Sequence, residues 1–581
     1  MKTTVQQAEQ QIRNAVNAAF NSAISEGALP EAAIPDYTVE VPNDRKNGDF
    51  AVNAAMMGAR TFRLAPRKIA EELLPRLNLD DTYFQNVEVA GAGFINFFLS
   101  PSFYGAAVAE VLEKGDDYGR SDAGNGRKVM VEYVSANPTG PMHMGNARGG
   151  ALGDCLASVM DAAGYDVARE FYVNDAGNQI EKFGLSLDIR YQQFLNGEDA
   201  IELPEDAYHG DDIKDHAAAF AAEFGDKYLA VSEEERRAAL VQFALPKNLD
   251  KMHKDLEKYR IVYDRWFLES TLHESGEIKE IVDILTSKGL TYEKDGAIWY
   301  KNAEVMTAQL LAEGKSQEEI DKLELKDDVL IRQNGNPTYF AADIAYHRNK
   351  ALRGFDLCID VWGADHHGHV ARMKGAMDSV GVGGEHLEVL LVQLVRLMRD
   401  GEVVRMSKRS GKAIQLADLL DEVPADAARF FFNMTSATNS MDFDLGLAIE
   451  ESSKNPVYYV QYAHARICSI FRKLKEEGVS VKAAKTVDDL VHLGSDEEKE
   501  LIRHIAAFTG EIVAAADARD PAKITRYAIE LATLFHKFYN SCRVICEDEA
   551  VMAARLALCD ATRITLKNAL TLLKITVPES M

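Results

Sequence analysis

Residues 143–146 read His-Met-Gly-Asn and stand where a strand pattern gives way to a helix pattern. The strand-forming residues Val129, Met130, Val131, Tyr133 and Val134 lead into Asn137-Pro138-Thr139-Gly140-Pro141, a turn rich in Pro and Gly. Beyond the tetrad, Ala147, Ala151, Cys155, Val159 and Ala163 recur every fourth residue, and Gly164 is placed to end the helix. A helix start of this kind suits phosphate. Its unpaired N–H groups and the positive end of its dipole favour an anion. Gly145 lets a ring approach the backbone, and His143 can donate to a phosphate oxygen.

Two further clusters carry chemistry. Residues 403–412 read Val-Val-Arg-Met-Ser-Lys-Arg-Ser-Gly-Lys. Alone this is a solvated basic loop; beside the tetrad it becomes a second phosphate contact. Asp365-His366-His367-Gly368-His369 follows an apolar run and sets three imidazoles within four residues, a spacing with the look of a zinc site.

A parallel sheet is the element that would position these groups. It starts at 129 and returns at 357–362 and 389–395, near-continuous apolar runs suited to strands buried on both faces. The expected fold is multidomain α/β. Residues 1–113 form a small α+β domain and 114–128 a linker. A Rossmann-type parallel-sheet domain spans 129–424, with a helical, acidic insertion at about 176–260. Beyond 425 no strand pattern stands out, and 425–581 suits an all-α bundle.

The chain has 581 residues, too many for one core, and nearly half are hydrophobic. Its six cysteines, at 155, 358, 468, 542, 546 and 559, include no CxxC pair, which argues against disulfides and zinc knuckles; Cys542 and Cys546 fall four apart on an expected helix. The N-terminus lacks an apolar signal core, and no 18-residue apolar run occurs. A soluble protein of a reducing compartment, the cytoplasm, is the expectation. The net charge of −26 leaves polyanion binding to local basic surfaces. Candidates are Arg60, Arg63, Arg67 and Lys68; residues 347–353; 405–412; and Arg466, Arg472 and Lys473.

The tetrad resembles the HIGH signature of class I aminoacyl-tRNA synthetases and their nucleotidylyltransferase relatives, and residues 403–412 resemble the KMSKS loop of the same enzymes. The sequence is most similar to the arginyl-tRNA synthetases, over essentially its whole length. Asn47-Gly48-Asp49-Phe50-Ala51 with Gly91-Ala92-Gly93-Phe94-Ile95-Asn96 resembles their N-terminal domain. Phe171-Tyr172-Val173-Asn174-Asp175-Ala176-Gly177-Asn178-Gln179 resembles a catalytic-domain segment, and residues 455–466 the start of the anticodon-binding domain. Two departures stand out: Asn146 replaces the last His of HIGH, and Arg405 and Arg409 replace the outer residues of KMSKS.

The resemblance implies ATP-dependent ligation of L-arginine to its cognate tRNA through an arginyl-adenylate, releasing AMP and pyrophosphate. It implies catalytic roles for His143, Asn146, Ser407 and Lys408. ATP contacts fall on Pro141, His143, Gly145, Asn146, Gly363, Asp365, Met406 and Lys408. Arginine contacts fall on Glu132, Ser135, Asn137, Glu269, Tyr339, Asp343 and His366. ATP would arrive with Mg2+ as its substrate complex, with no protein-bound metal. The partners implied are tRNA(Arg), L-arginine and ATP, with no membrane, in a monomer. The N-terminal domain would contact the tRNA elbow and the C-terminal domain the anticodon stem-loop. A small-molecule adenylyltransferase sharing the tetrad and a Ser/Lys loop is the alternative enzyme. A non-catalytic RNA-binding relative is the alternative outside enzymes.

Overall fold

The computed structural model describes residues 2–404, 414–479 and 484–581. At its centre lie five parallel strands: β1 (Lys128–Glu132), β2 (Asp166–Val173), β3 (Arg265–Leu268), β4 (Leu357–Gly363) and β5 (Leu387–Val392). Their spatial order is β5-β4-β1-β2-β3. The chain winds outward one way through β2 and β3 and the other way through β4 and β5. The order therefore reverses between β1 and β4, and the carboxyl ends of those two strands open the crevice where such sheets bind ligands. Val129, Met130 and Val131 are fully buried, as a strand covered on both faces requires.

Helix α1 (Gly145–Ala162) follows β1 and returns the chain to β2. Its Ala147, Ala151, Cys155 and Val159 are fully buried, and Gly164 at φ +91° turns the chain out of the helix. Helix α2 (Tyr339–Leu352) precedes β4, and its start is capped by the Thr338 hydroxyl accepting from Ala341 N–H. Helix α3 (His367–Val380) follows β4.

Two insertions interrupt the sheet. Between β2 and β3, helices Asn178–Asn196, Asp211–Phe224 and Glu233–Lys258 share a separate core that includes Phe183, Leu187, Phe220 and Leu240. Between β3 and α2 lies an antiparallel sheet of Thr291–Lys294, Ala297–Tyr300 and Asp328–Ile331. The sequence pattern left this second insertion unassigned, because four-residue strands carry too little periodicity to register.

The apolar run at 389–395 is not one strand. β5 ends at Val392; Gln393 N–H then donates to Ala437 O at 2.9 Å, and Leu394 is exposed. Val395–Arg399 starts a second sheet with Glu402–Val403 and Met441–Asp444. The strand at Met441–Asp444 corrects the expectation of no strand beyond 425. It is four residues long and held by parallel pairing to a distant segment, a contact that local pattern cannot reveal.

At the N-terminal end, helix Thr4–Ser25 packs against helices Pro66–Leu73 and Pro101–Lys114, in a domain that also holds a four-stranded antiparallel sheet. The two quoted motifs meet there: Asp49 accepts from Leu99 N–H at 2.9 Å. A Cβ on Gly48, at φ +88°, would lie 2.8 Å from Phe97 O. Beyond 455 the described residues are helical, from Pro456–Glu476 to Glu549–Leu572. Cys542 caps the helix ending at Ser541, and Cys546 lies beyond it, so the pair does not share a helix as expected. All six thiols are free. Among the described residues no helix is long and apolar enough to cross a membrane.

Candidate active site

β1 leaves the sheet through a strained turn. Val134 has φ +71° and Ser135 φ +38°, and Ser135 N–H donates to Tyr133 O at 3.0 Å. A β-branched residue in this region costs on the order of 1–3 kcal/mol. The turn aims the Ser135 hydroxyl at Glu132 Oε1, at 2.8 Å, while its oxygen accepts from Tyr172 N–H at 3.1 Å. β1 and β2 are thereby pinned together at their carboxyl ends.

Above those ends lies a cavity of about 750 Å³. Glu132, Ser135, Asn137, Pro141, His143, Gly145, Asn146, Tyr339, Asp343, Gly363, Asp365 and His366 all line it. Residues far apart in sequence thus share one crevice. Glu269 is the exception. It sits past the end of β3, buried, beside Tyr172, which does line the cavity. Met406, Ser407 and Lys408 lie outside the described residues.

At the α1 end of the cavity, His143 Nδ1 accepts from Gly145 N–H at 3.0 Å. In the neutral ring this places the remaining proton on Nε2, the nitrogen left to donate into the cavity. The Asn146 side chain is half-buried and bonds to no described residue. The tetrad backbone is clamped from the far side: Met144 N–H donates to Ile414 O and Leu416 N–H to Met142 O, both at 2.9 Å. Ile414 and Leu416 thus lie against the tetrad.

The other end is acidic. Asp343 is buried, with His369 Nε2 3.0 Å from Oδ2. Glu269 faces His273 at 3.5 Å and, with the Asn174 amide oriented to satisfy its partners, Asn174 Nδ2 at 2.9 Å. No Lys or Arg pairs with either carboxylate among the described residues. Burial, with Asp343 and Asp175 nearby, pushes the Glu269 carboxyl up to about 7, opposed by the neighbouring Tyr172 hydroxyl. Burial first, then the charges of Glu269 and Asp343, raises the Tyr172 hydroxyl well above its ordinary range. Asp343 first, then burial, raises Tyr339, whose side chain stays exposed at the cavity mouth.

At the floor of the cavity the acids are paired. Glu132, Asp360 and Glu170 stand abreast on β1, β4 and β2. Lys350 Nζ is 2.5 Å from Glu132 and 2.8 Å from Asp360, Tyr346 donates toward Glu132 at 2.9 Å, and His347 Nε2 is 2.9 Å from Asp360. Burial would raise Asp360, but Lys350 and His347 bring it to about 2. Residues 347–353 are therefore not the basic surface the sequence suggested, since His347 and Lys350 are buried and spent on carboxylates. The histidine cluster also divides. His369 turns to Asp343 while His366 stays exposed, and among the described residues no group of three or more potential ligands could hold a metal.

Three family descriptions match the chain in succession. The arginyl tRNA synthetase N terminal domain covers residues 6–99. The catalytic domain of class I (R) tRNA synthetases covers 107–443, and the DALR anticodon binding domain 460–581. An arginine–tRNA ligase of Caldanaerobacter subterraneus subsp. tengcongensis is 54% identical over 582 residues, covering 100% of both chains. The chain belongs to the arginine–tRNA ligases. That of Acetivibrio thermocellus is 50% identical, again over 100% of each chain. The Thermus thermophilus arginyl-tRNA synthetase structure shares the ligase's fold at a TM-score of 0.69, with 22% identity over 98% of this chain and 100% of that one.

Sequence reasoning about this ligase missed several residues of the cavity wall. Tyr172 lay inside a quoted segment, but nothing local marked its hydroxyl as turned toward buried acid. His369 was one of three equivalent imidazoles until α3 fixed its direction. Arg148, in the first turn of α1, carried no local signal, yet it is 1% exposed and lines the cavity.

Proposed function

We propose that this class I aminoacyl-tRNA synthetase activates L-arginine as its adenylate in the cavity above the sheet and then transfers it to tRNA(Arg). One observation carries the choice of amino acid: Glu269 and Asp343 are buried at one end of the crevice without a Lys or Arg partner among the described residues. A guanidinium presents a planar fork of donors that two carboxylates can share, and a lysine ammonium cannot fill both positions. Tyr339 closes the mouth over that fork. Ser135 and Asn137 receive the α-amino and carboxylate groups, and Glu132, both oxygens already occupied, holds Ser135 in place. His366 borders the same end.

The arginine carboxylate then attacks the α-phosphorus of ATP in line, forming the mixed anhydride and expelling pyrophosphate. The nucleophile is already ionised, so the protein positions groups and stabilises charge. His143 donates from Nε2 and Asn146 from its amide to phosphate oxygens at the start of α1, where Pro141 and Gly145 shape the turn. Gly363 and Asp365, at the end of β4, take the ribose. Mg2+ enters with ATP as part of the substrate. Ser407 and Lys408 close on the leaving phosphates. In the second step a hydroxyl of the terminal tRNA ribose attacks the arginyl carbonyl carbon, and AMP leaves.

Residues 1–113 take the tRNA elbow, with exposed Arg60, Arg63, Arg67 and Lys68 available to phosphates. Residues 114–128 link them to the catalytic domain at 129–424, and 425–581 read the anticodon stem-loop. The test is amino-acid-dependent ATP–pyrophosphate exchange across the twenty amino acids, with and without deacylated tRNA. Exchange with arginine and not lysine is expected. Equal use of lysine would overturn the pocket, and exchange with no amino acid would overturn the reaction.

A further inference from the structure

Two buried arginines serve α1, and only one of them has a carboxylate. Arg429, fully buried, gives Nη2 to Asp154 at 2.5 Å and donates Nε and Nη1 to the carbonyls of Leu573 and Tyr259. Arg148, 1% exposed, donates Nη1 to Gln393 O at 2.9 Å and Nη2 to Ser436 O and Thr435 O, at 2.9 and 3.4 Å. Its Nε is buried without a partner, and no carboxylate pairs with the guanidinium among the described residues. A buried charge is ordinarily paired or avoided. Burial here brings the guanidinium down to about 10. The arrangement is uncommon, and its position is informative.

Arg148 sits one residue past Ala147, in the turn of α1 that begins with the tetrad, and it lines the same cavity. Gln393, which accepts its Nη1 bond, also lines that cavity, in the crossover where the chain leaves β5. Neutral carbonyls satisfy its fork but do not cancel its charge. Full occupancy of the cavity by the substrates would supply both missing counter-charges: a guanidinium for the acids at one end and a polyphosphate for this cation at the other.

We propose that Arg148 is a positioning residue for the nucleotide, holding the 392–395 crossover with its fork while its uncompensated charge favours the triphosphate over the bare nucleoside. The proposal rests on the reading of this cavity as the ATP site. Its test is calorimetric binding of Mg-ATP and of adenosine to the full chain, wild type and variants, alongside thermal denaturation.

Arg148→Met is expected to lower the ratio of ATP to adenosine affinity about tenfold or more, the effect of one poorly screened charge near the phosphates. Arg148→Lys keeps the charge and should hold that ratio within about threefold. It cannot bridge three carbonyls, so both ligands should bind it more weakly, by about tenfold. A folded Arg148→Met chain with an unchanged ratio would overturn the role of the charge. If that variant does not fold, Arg148→Lys decides the matter, because adenosine binding equal to wild type would overturn the positioning role. Wild-type protein that binds neither ligand would instead overturn the assignment of the cavity, a separate failure.

Discussion

Helix α2 carries two groups of acid chemistry that are opposite in design. Its C-terminal half sends Tyr346 and Lys350 down onto Glu132 and Asp360, and just beyond it Arg353 reaches Glu170 at 2.5 Å. Each carboxylate in that row faces a cation, and Asp360 is held near 2 by Lys350 and His347 despite its burial. Its N-terminal half presents Asp343, two turns away, to a region shared with Glu269, where among the described residues no Lys or Arg pairs with either acid and histidines are the nearest basic side chains. Burial dominates, and Glu269 rises to about 7. The residue types are the same in both places. What differs is whether the protein supplies the counter-ion, and an acid left unpaired at the edge of a cavity is poised for a cationic ligand rather than for stability.

Exchanging the expected behaviours of the two groups would break this contrast. The largest effect is expected from Asp343→Ala. It removes a carboxylate that has no Lys or Arg partner among the described residues and only His369 beside it, so kcat/KM for arginine should fall about a thousandfold or more, with the melting temperature nearly unchanged. Normal charging by this variant would sink the pocket assignment. Lys350→Met should do the reverse. It strands Glu132 and Asp360 in the interior, and urea denaturation should show a loss of about 3 kcal/mol or more. If Lys350→Met were as stable as wild type, the lower row would not be the structural element the contrast requires.

Glu269→Gln sharpens the comparison through pH. Between the ordinary carboxyl range and about 7, the folded protein holds a proton on Glu269 that the unfolded chain has released. Its contribution to stability is thus complete below pH 4.5 and lost as pH rises through 7. Wild type should lose on the order of 2–3 kcal/mol across that window from this group, and Glu269→Gln should not. Arginine binding has the opposite sign, because the cation needs the ionised carboxylate: its affinity in wild type should rise through pH 7 and level off. A flat arginine profile in wild type would remove Glu269 from the pocket.

These opposed groups also show what the sequence could reveal. The tetrad, its preceding strand and turn, and the fourfold apolar repeat of α1 were legible because neighbouring residues create them. The sheet's apolar runs were legible for the same reason. Lys350 was not. Its positive neighbours read as a basic surface, and its partners lie on β1 and β4, brought to it only by the strand order. Glu269 and Asp343 could be named from a resemblance, but their lack of a Lys or Arg partner among the described residues is a property of everything packed around them. The short strands at Asp328–Ile331 and Met441–Asp444 escaped because each depends on pairing with a distant segment.

The smallest expected effect tests the other end of the crevice, where the sequence departs from the usual pattern. Asn146 is half-buried at the start of α1, with a side chain committed to no described residue, so it is free to donate to phosphate. A neutral donor contributes about 0.5–1.5 kcal/mol, far less than a desolvated charge. Asn146→Ala should therefore slow arginine-dependent exchange by about three- to tenfold, with KM for arginine unchanged, and Asn146→His should recover most of that loss. A deficit in Asn146→Ala as deep as that of Asp343→Ala would mean that one uncharged amide carries as much of the reaction as the acid end. The helix start, whose N–H groups and dipole persist in every variant, would then be contributing little. The contrast predicts otherwise: the nucleotide end is built from many modest, fixed contacts, and the arginine end from two charges with nothing to replace them.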